Sequence, residues 1–188
     1  AEVAQNLIMS QQYVEKIDKK IQTGTLKNGM QYALFPTSTR DDKTYASISL
    51  NFGTAESLKD QAEVIGFMSY LLLRASEQYS LQDIADKSID AGGRASASAV
   101  DNGISIQISA KNEKFEEYFK FIIDVMNNPK FEQTQFDLIK SQTLSSLNRS
   151  YTEPETVASL TIARIVEKYQ PGDLRYHFEP ELAKQQVT

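Results

Sequence analysis

Residues 61–75 read QAEVIGFMSYLLLRA, and between Val64 and Leu73 only Gly66, Ser69 and Tyr70 interrupt a run of hydrocarbon and thioether side chains. Apolar surface nearly all round a helix must be covered on several sides, so the run predicts a central core helix. Glu63 and Arg74 bound it closely, and a bilayer span needs about twenty apolar residues. Upstream, residues 44–52 alternate, with Ala46, Ile48, Leu50 and Phe52 on one side and Ser47, Ser49 and Asn51 on the other. That is the period of a half-buried strand.

The same reading extends along the chain. Thr25-Leu26, an Asn28-Gly29 turn signal and the run 30–35 ended by Pro36 predict a strand entry or hairpin. Residues 94–100 and 104–109 alternate on either side of Asp101-Asn102-Gly103, predicting two antiparallel strands. One face is apolar; the other carries Ser96, Ser98, Ser105 and Ser109 and matches the serine face of the earlier strand.

Four more helices are predicted. Ser80-Leu81-Gln82-Asp83 resembles a capping box opening a helix with a buried stripe of Ile84, Ala85 and Ile89, which Gly92-Gly93 stops. Phe115, Tyr118, Phe119, Ile122, Ile123 and Met126 follow helical spacing up to Asn128-Pro129, and Phe136, Ile139, Thr143, Leu144 and Leu147 share a face of the next helix. Thr152-Glu153-Pro154-Glu155 reads as a capping box with proline in the first turn, opening a helix through Val157, Leu160, Ile165 and Tyr169 before Pro171-Gly172.

Residues 1–23, weakly amphipathic and glutamine-rich, read as a lead-in or interdomain linker of helical pattern, and residues 24–188 as one domain. The order predicts an α+β fold, an antiparallel or mixed sheet with helices packed on its apolar face. No sustained βαβ alternation supports a doubly wound nucleotide fold. The polar tail 173–188 stops without a closing element, so the domain is expected to be truncated at its C-terminal end.

Composition narrows the chemistry. With 188 residues, 40% hydrophobic and 24% charged, the chain is long enough for one domain with a sizeable core. Its net charge of −5, with both signs interspersed, offers no basic face for nucleic acid. There is no cysteine and a single histidine, His177. Catalytic zinc takes three protein ligands drawn mainly from His and Cys, and a serine triad needs a histidine base, so neither is expected here. His177 itself reads as a surface or tail residue, and Gly92-Gly93-Arg94 as a helix stop rather than a phosphate cradle. The serine face is open to two readings, a wet wall that holds a polypeptide or a plain solvated sheet face.

Several short stretches, in this order and spacing, carry a resemblance. They are Leu26-Lys27-Asn28-Gly29-Met30, Asn51-Phe52-Gly53, Gly66 at the start of the core helix, Ala91-Gly92-Gly93, Asn128-Pro129 with Phe131, and the run 136–147. Residues 169–176, Glu179-Pro180-Glu181 and Val187-Thr188 complete the set. Over residues 25–188 the chain resembles the pitrilysin/insulinase type of zinc metallopeptidases and their mitochondrial processing relatives.

In catalytic members of that family the core helix carries His-x-x-Glu-His after the glycine, two histidines holding zinc and a glutamate activating its water. Laid on Gly66, the pattern falls on Ser69, Leu72 and Leu73, and the third ligand, a glutamate further along, falls on Ser145 or Ser146. The resemblance thus implies a catalytically silent copy, with no cofactor in this chain and zinc in the catalytic domain of a parent protein. Family members resemble two bowls enclosing a chamber, built from repeats of one fold, and this segment looks most like the first domain of the second half of a long bacterial enzyme. The implied role is a chamber-forming, substrate-contacting domain of a zinc metalloendopeptidase. Its implied partners are a homologous catalytic domain, in the same polypeptide or a partner subunit, and a peptide or unfolded polypeptide substrate, with no membrane span. The alternative is a protease-dead scaffold or assembly subunit of the same fold. A bacterial periplasmic or envelope location is the expectation that follows.

Overall fold

The computed structural model describes residues 15–54, 56–59, 61–100, 102–150, 152–166, 168–169, 184–185 and 187. The chain divides into two compact units, Ala1–Asp42 and Lys43–Thr188. Among the described residues no helix is long and apolar enough to cross a membrane.

In the first unit, β1 (Gln22–Thr25) and β2 (Gln31–Leu34) pair antiparallel, with Gly24 opposite Tyr32. The Asn-Gly turn signal holds. Gly29 adopts φ +88°, which only glycine takes readily, and Met30 N donates to Asn28 Oδ1 at 3.1 Å. Of the expected lead-in, residues 1–14 lie outside the described residues, and residues 15–18 are helical.

The second unit opens with β3 (Lys43–Asn51), followed by α1 (Ala62–Leu71) and α2 (Leu81–Asp90). A hairpin of β4 (Arg94–Val100) and β5 (Gly103–Lys111) leads through a 3₁₀ turn, Asn112–Lys114, into α3 (Phe115–Asn127), α4 (Gln133–Ser150) and α5 (Pro154–Val166). The strands form one antiparallel sheet in the order β3-β5-β4, with Ile106 between Ile48 and Ala97. Its alternation sends Ile104, Ile106, Ile108 and Ala110 of β5 into the core, where Leu58, Ile65, Leu72, Tyr118 and Ile122 cover them. Each such aliphatic side chain contributes about 1.5–3 kcal/mol on burial. The architecture is α+β, with an antiparallel sheet whose apolar face is packed by helices, as the pattern predicts.

Helix α2 is delimited by local chemistry. Ser80 Oγ accepts from Asp83 N at 3.3 Å while Ser80 N donates to Asp83 Oδ2 at 2.8 Å, a reciprocal capping box. The Ser80 hydroxyl, donating to Asp83 Oδ2 at 2.7 Å, and then the Ser80 N–H hold the Asp83 carboxyl below its usual range. At the other end Gly92, with φ +52°, donates to Ile89 O and Gly93 donates to Ser88 O, so the two glycines end the helix. Ser80→Ala is expected to lower stability by about 1 kcal/mol, read from the urea midpoint.

Several details differ from the sequence pattern. In the core helix, which the sheet and α4 both cover, Val64 in the first turn is exposed. In α2 Ile84 is buried but Ala85 is exposed and Ile89 is 78% exposed, because a residue five positions on lies well round the helix; position 88, on Ile84's face, is a serine bonded to Ile84 O and Tyr118 Oη. Phe52 lies past the end of β3 and is exposed rather than inward. Thr152 makes no box with Glu155: its Oγ1 donates back to Arg149 O at 3.0 Å, so it serves the end of α4.

Candidate functional site

Ser69, Leu72 and Leu73 stand at i, i+3 and i+4 around the end of α1, one face of a helix. Leu72 keeps its helical bond to Met68 O at 3.0 Å, and Arg74 N donates to Leu71 O at 3.0 Å, so the chain stays wound past Leu71. Ser69 is 5% exposed and Leu72 is 8% exposed. Leu73 is half-buried and packs against the same cluster as Leu72. The Ser69 hydroxyl is already used, donating to Gly66 O one turn back at 2.8 Å.

Helix α4 packs against α1, with the rings of Phe67 and Phe136 edge-on at 5.5 Å. Leu147 faces the core, whereas Ser145 and Ser146 are exposed. Ser145 borders an open hollow of about 760 Å³ along α4, together with Asp137, Lys140, Ser141, Asn148 and Arg149. The two helices that hold the aligned positions thus pack together, but one contributes buried side chains and the other a solvent-facing pair.

These residues do not fit zinc. A neutral serine already bonded to its own helix, two leucines and an exposed serine pair supply neither thiolate, imidazole nor carboxylate. Among the described residues no group of three or more His, Cys, Asp or Glu side chains is placed to hold a metal ion. Among them, too, the buried side-chain polar atom without a partner is Gln135 Oε1, a single amide oxygen. His177 and residues 179–181 lie outside the described residues. Ser69→Ala is expected to change stability by less than about 1 kcal/mol, since the helix gains the propensity of alanine while losing one local bond. Thermal melts of both proteins check this.

Glu63 is the half-buried carboxylate of α1's first turn, and burial pushes its pKa up. A folded-state pKa above the unfolded one favours the protonated form, so this contribution is present in acid and is lost as pH rises through the folded pKa. Glu63→Gln removes that dependence. Its melting temperature relative to the parent is expected to be higher at pH 7 than at pH 4, and equal differences at the two pH values would contradict it.

The other polar surface is the outer side of the sheet. Register puts Ser47, Gln107 and Ser96 in one row and Ser49, Ser105 and Ser98 in the next. Gln107 Nε2 donates to Ser47 Oγ at 2.8 Å and to Ser105 Oγ at 3.1 Å, so the amide ties the hydroxyls together. Gln107 was legible as the polar step between Ser105 and Ser109 but carries no motif. The α4 hollow has a sequence trace in its polar period, Asp137, Ser141 and Ser145 at four-residue steps.

Comparison with solved structures gives the same fold in longer chains. A peptidase M16 inactive domain from Pseudomonas fluorescens matches with TM-score 0.67 at 15% identity, over 86% of this chain and 38% of that one. A protease from Helicobacter pylori matches with TM-score 0.68 at 15% identity, over 89% and 40%. The periplasmic protease PqqL from Escherichia coli matches with TM-score 0.60 at 13% identity, over 88% and 18%. The chain therefore spans less than half the length of each. No curated protein matches it. A family model does, over residues 32–173, and by that match the chain belongs to the insulinase family, peptidase family M16.

Proposed function

We propose that this chain is a non-catalytic domain of a zinc metallopeptidase, forming part of the wall of an enclosed chamber and touching the polypeptide substrate. Hydrolysis and zinc belong to a homologous domain in the same polypeptide or a partner subunit. The observation that carries this reading is the lack of any ligating or basic side chain at the aligned positions: Ser69 is buried and self-bonded, Leu72 is part of the core, Leu73 packs against it, and Ser145 and Ser146 are exposed. Its likeness to a domain described as inactive supports it, as does membership of a peptidase family. The periplasmic neighbour accords with an envelope location.

The serine face suits the substrate-contacting part of this role. Short hydroxyl side chains tied by Gln107 offer a passing peptide donors and acceptors, with Tyr45 and Arg94 in the adjoining row through Ser109. The test is Ser49→Glu with Ser98→Glu, both exposed, in the full-length natural polypeptide and its partner. A several-fold change in KM for an unstructured peptide with kcat unchanged is the expected result. Unchanged KM and kcat would remove substrate contact from this face.

A further inference from the structure

The three strands of the second unit's sheet contain no aspartate or glutamate, although the chain carries a net charge of −5. Their cations gather at one end of the outer face. Lys43, at the start of β3, lies directly opposite Lys111, at the end of β5, and Tyr45, Ser109 and Arg94 form the next row. Far apart in the chain, these side chains meet only through the register. Lys111 also leans toward the start of β4, since its Cγ, Cδ and Cε lie 3.1–3.4 Å from where a Cβ on Gly92 would stand. The bare glycine leaves room for that stem two residues before Arg94.

Like charges directly opposite each other on a sheet repel, so the Lys43 and Lys111 pair weakens the strand pairing it belongs to. Other lysines of this unit are matched: Lys87 with Glu117 at 3.5 Å, Lys114 with Asp90 at 3.6 Å and Lys120 with Glu116 at 2.6 Å. Among the described residues no carboxylate pairs with Arg94 or Lys111. The sheet thus holds cations side by side that an anion from outside can bridge, and a guanidinium next to an ammonium suits a carboxylate through charge-assisted bonds. From Lys111 to Ser105 the face runs about 20 Å at about 3.4 Å per residue, the span of an extended peptide of about six residues. A nucleic-acid backbone is instead held by about six to ten phosphate contacts, which Lys43, Arg94 and Lys111 do not supply.

We propose that Arg94 and Lys111, with Lys43 beside them, bind acidic side chains of the polypeptide that lies across the serine rows, so that this face selects acidic over basic segments. Complementary charge fixes which segment docks and in which register, a choice that hydroxyls by themselves do not make. The inference rests on the reading of this face as substrate-contacting and names the class of substrate it takes.

The experiment is fluorescence anisotropy of labelled, acetylated and amidated glycine-serine peptides carrying several glutamates, glutamines or lysines, added to the natural polypeptide and its partner in the presence of a chelator that prevents cleavage. Expected is at least about fivefold tighter binding of the glutamate peptide than of the glutamine peptide at low salt, shrinking as salt rises. Arg94→Glu plus Lys111→Glu is expected to invert the order in favour of the lysine peptide, and Arg94→Gln plus Lys111→Gln to erase the preference. Lys27→Glu plus Lys59→Glu, the same change of charge at exposed lysines outside the sheet, is expected to leave the preference within about twofold of the parent's. Melting temperatures at or above the parent's are expected for the Lys111 variants, because repulsion from Lys43 is relieved. Equal affinity for the glutamate and glutamine peptides overturns the proposal, as does a preference that survives charge reversal. So does a single-stranded oligonucleotide that binds more tightly than the glutamate peptide and is released by the same reversal, which assigns the face to phosphate. The two readings fail separately. A KM insensitive to Ser49→Glu with Ser98→Glu removes substrate contact yet leaves the acidic preference standing, whereas a lost preference with KM still sensitive sinks this inference alone.

Discussion

Leu72→Asp is expected to destabilise the second compact unit by about 3–5 kcal/mol at neutral pH. By the resemblance laid on Gly66, Leu72 falls at the family's glutamate position; it is 8% exposed and packs in the cluster with Ile65, Ile104, Ile106 and Tyr118. Two losses add there. Truncating a buried leucine forfeits its packing and leaves a cavity. The carboxylate brought in has no described cation beside it and escapes burial of its charge by protonating, so its folded pKa rises. Stability is then retained in acid and lost as pH rises through that value, which makes the defect larger at pH 7 than at pH 4. Urea midpoints at the two pH values measure it, and an unchanged midpoint at pH 7 would show that α1 is not central. For the same reason Ser69→His, Leu72→Glu and Leu73→His together are expected to bind no zinc and to lose the fold, since the third-ligand position and its supporting bonds are absent as well.

Gly103→Ala is the second large effect, at about 2–3 kcal/mol. Gly103 is buried and opposite Asn51, and a Cβ there would overlap the Leu50 carbonyl oxygen and approach Asn51 Cα at 3.2 Å. Backbone atoms of a paired strand cannot rotate aside, so either β3 lifts or the β4–β5 hairpin shifts its register. Gly66 is the contrast. It lies within α1, and a methyl group added there would meet nothing within 4 Å beyond its own helix, so Gly66→Ala is expected to stabilise by about 0.5–1 kcal/mol. Denaturation of both variants side by side checks the pair, and equal signs would contradict the contrast.

The strands were legible because they alternate strictly: a period of two with isoleucine on one side and serine on the other fixes which face is buried, and the turn at 101–103 pairs β4 with β5, whereas the pairing of β3 with β5 is a property of the fold. The turns were legible for a local reason, the left-handed glycines at 29 and 92. Helical stripes were harder to read. Ile89 and Ile165 belong to apolar-looking runs but stand exposed, and Val125, which the stripe of α3 omits, is fully buried. Burial on a helix depends on which neighbour covers which side, and a single sequence does not state it. At the candidate site, the positions come from the resemblance laid on Gly66, whereas Ser69's bond to Gly66 O and the exposure of Ser145 and Ser146 are properties of packing that no sequence pattern states. The α4 hollow and the bridging role of Gln107 depend on residues that meet only in the fold.

The most direct measurement is zinc content together with chelator-sensitive cleavage of an unstructured peptide, made on the natural polypeptide with whatever partner co-purifies and on the 188-residue chain by itself. Expected are about one zinc per catalytic domain in the former, cleavage abolished by chelation, and neither zinc nor cleavage in the latter. Stoichiometric zinc on the isolated chain would contradict the silent-domain reading, and a natural polypeptide without zinc or cleavage would move the protein to a scaffold of the same fold.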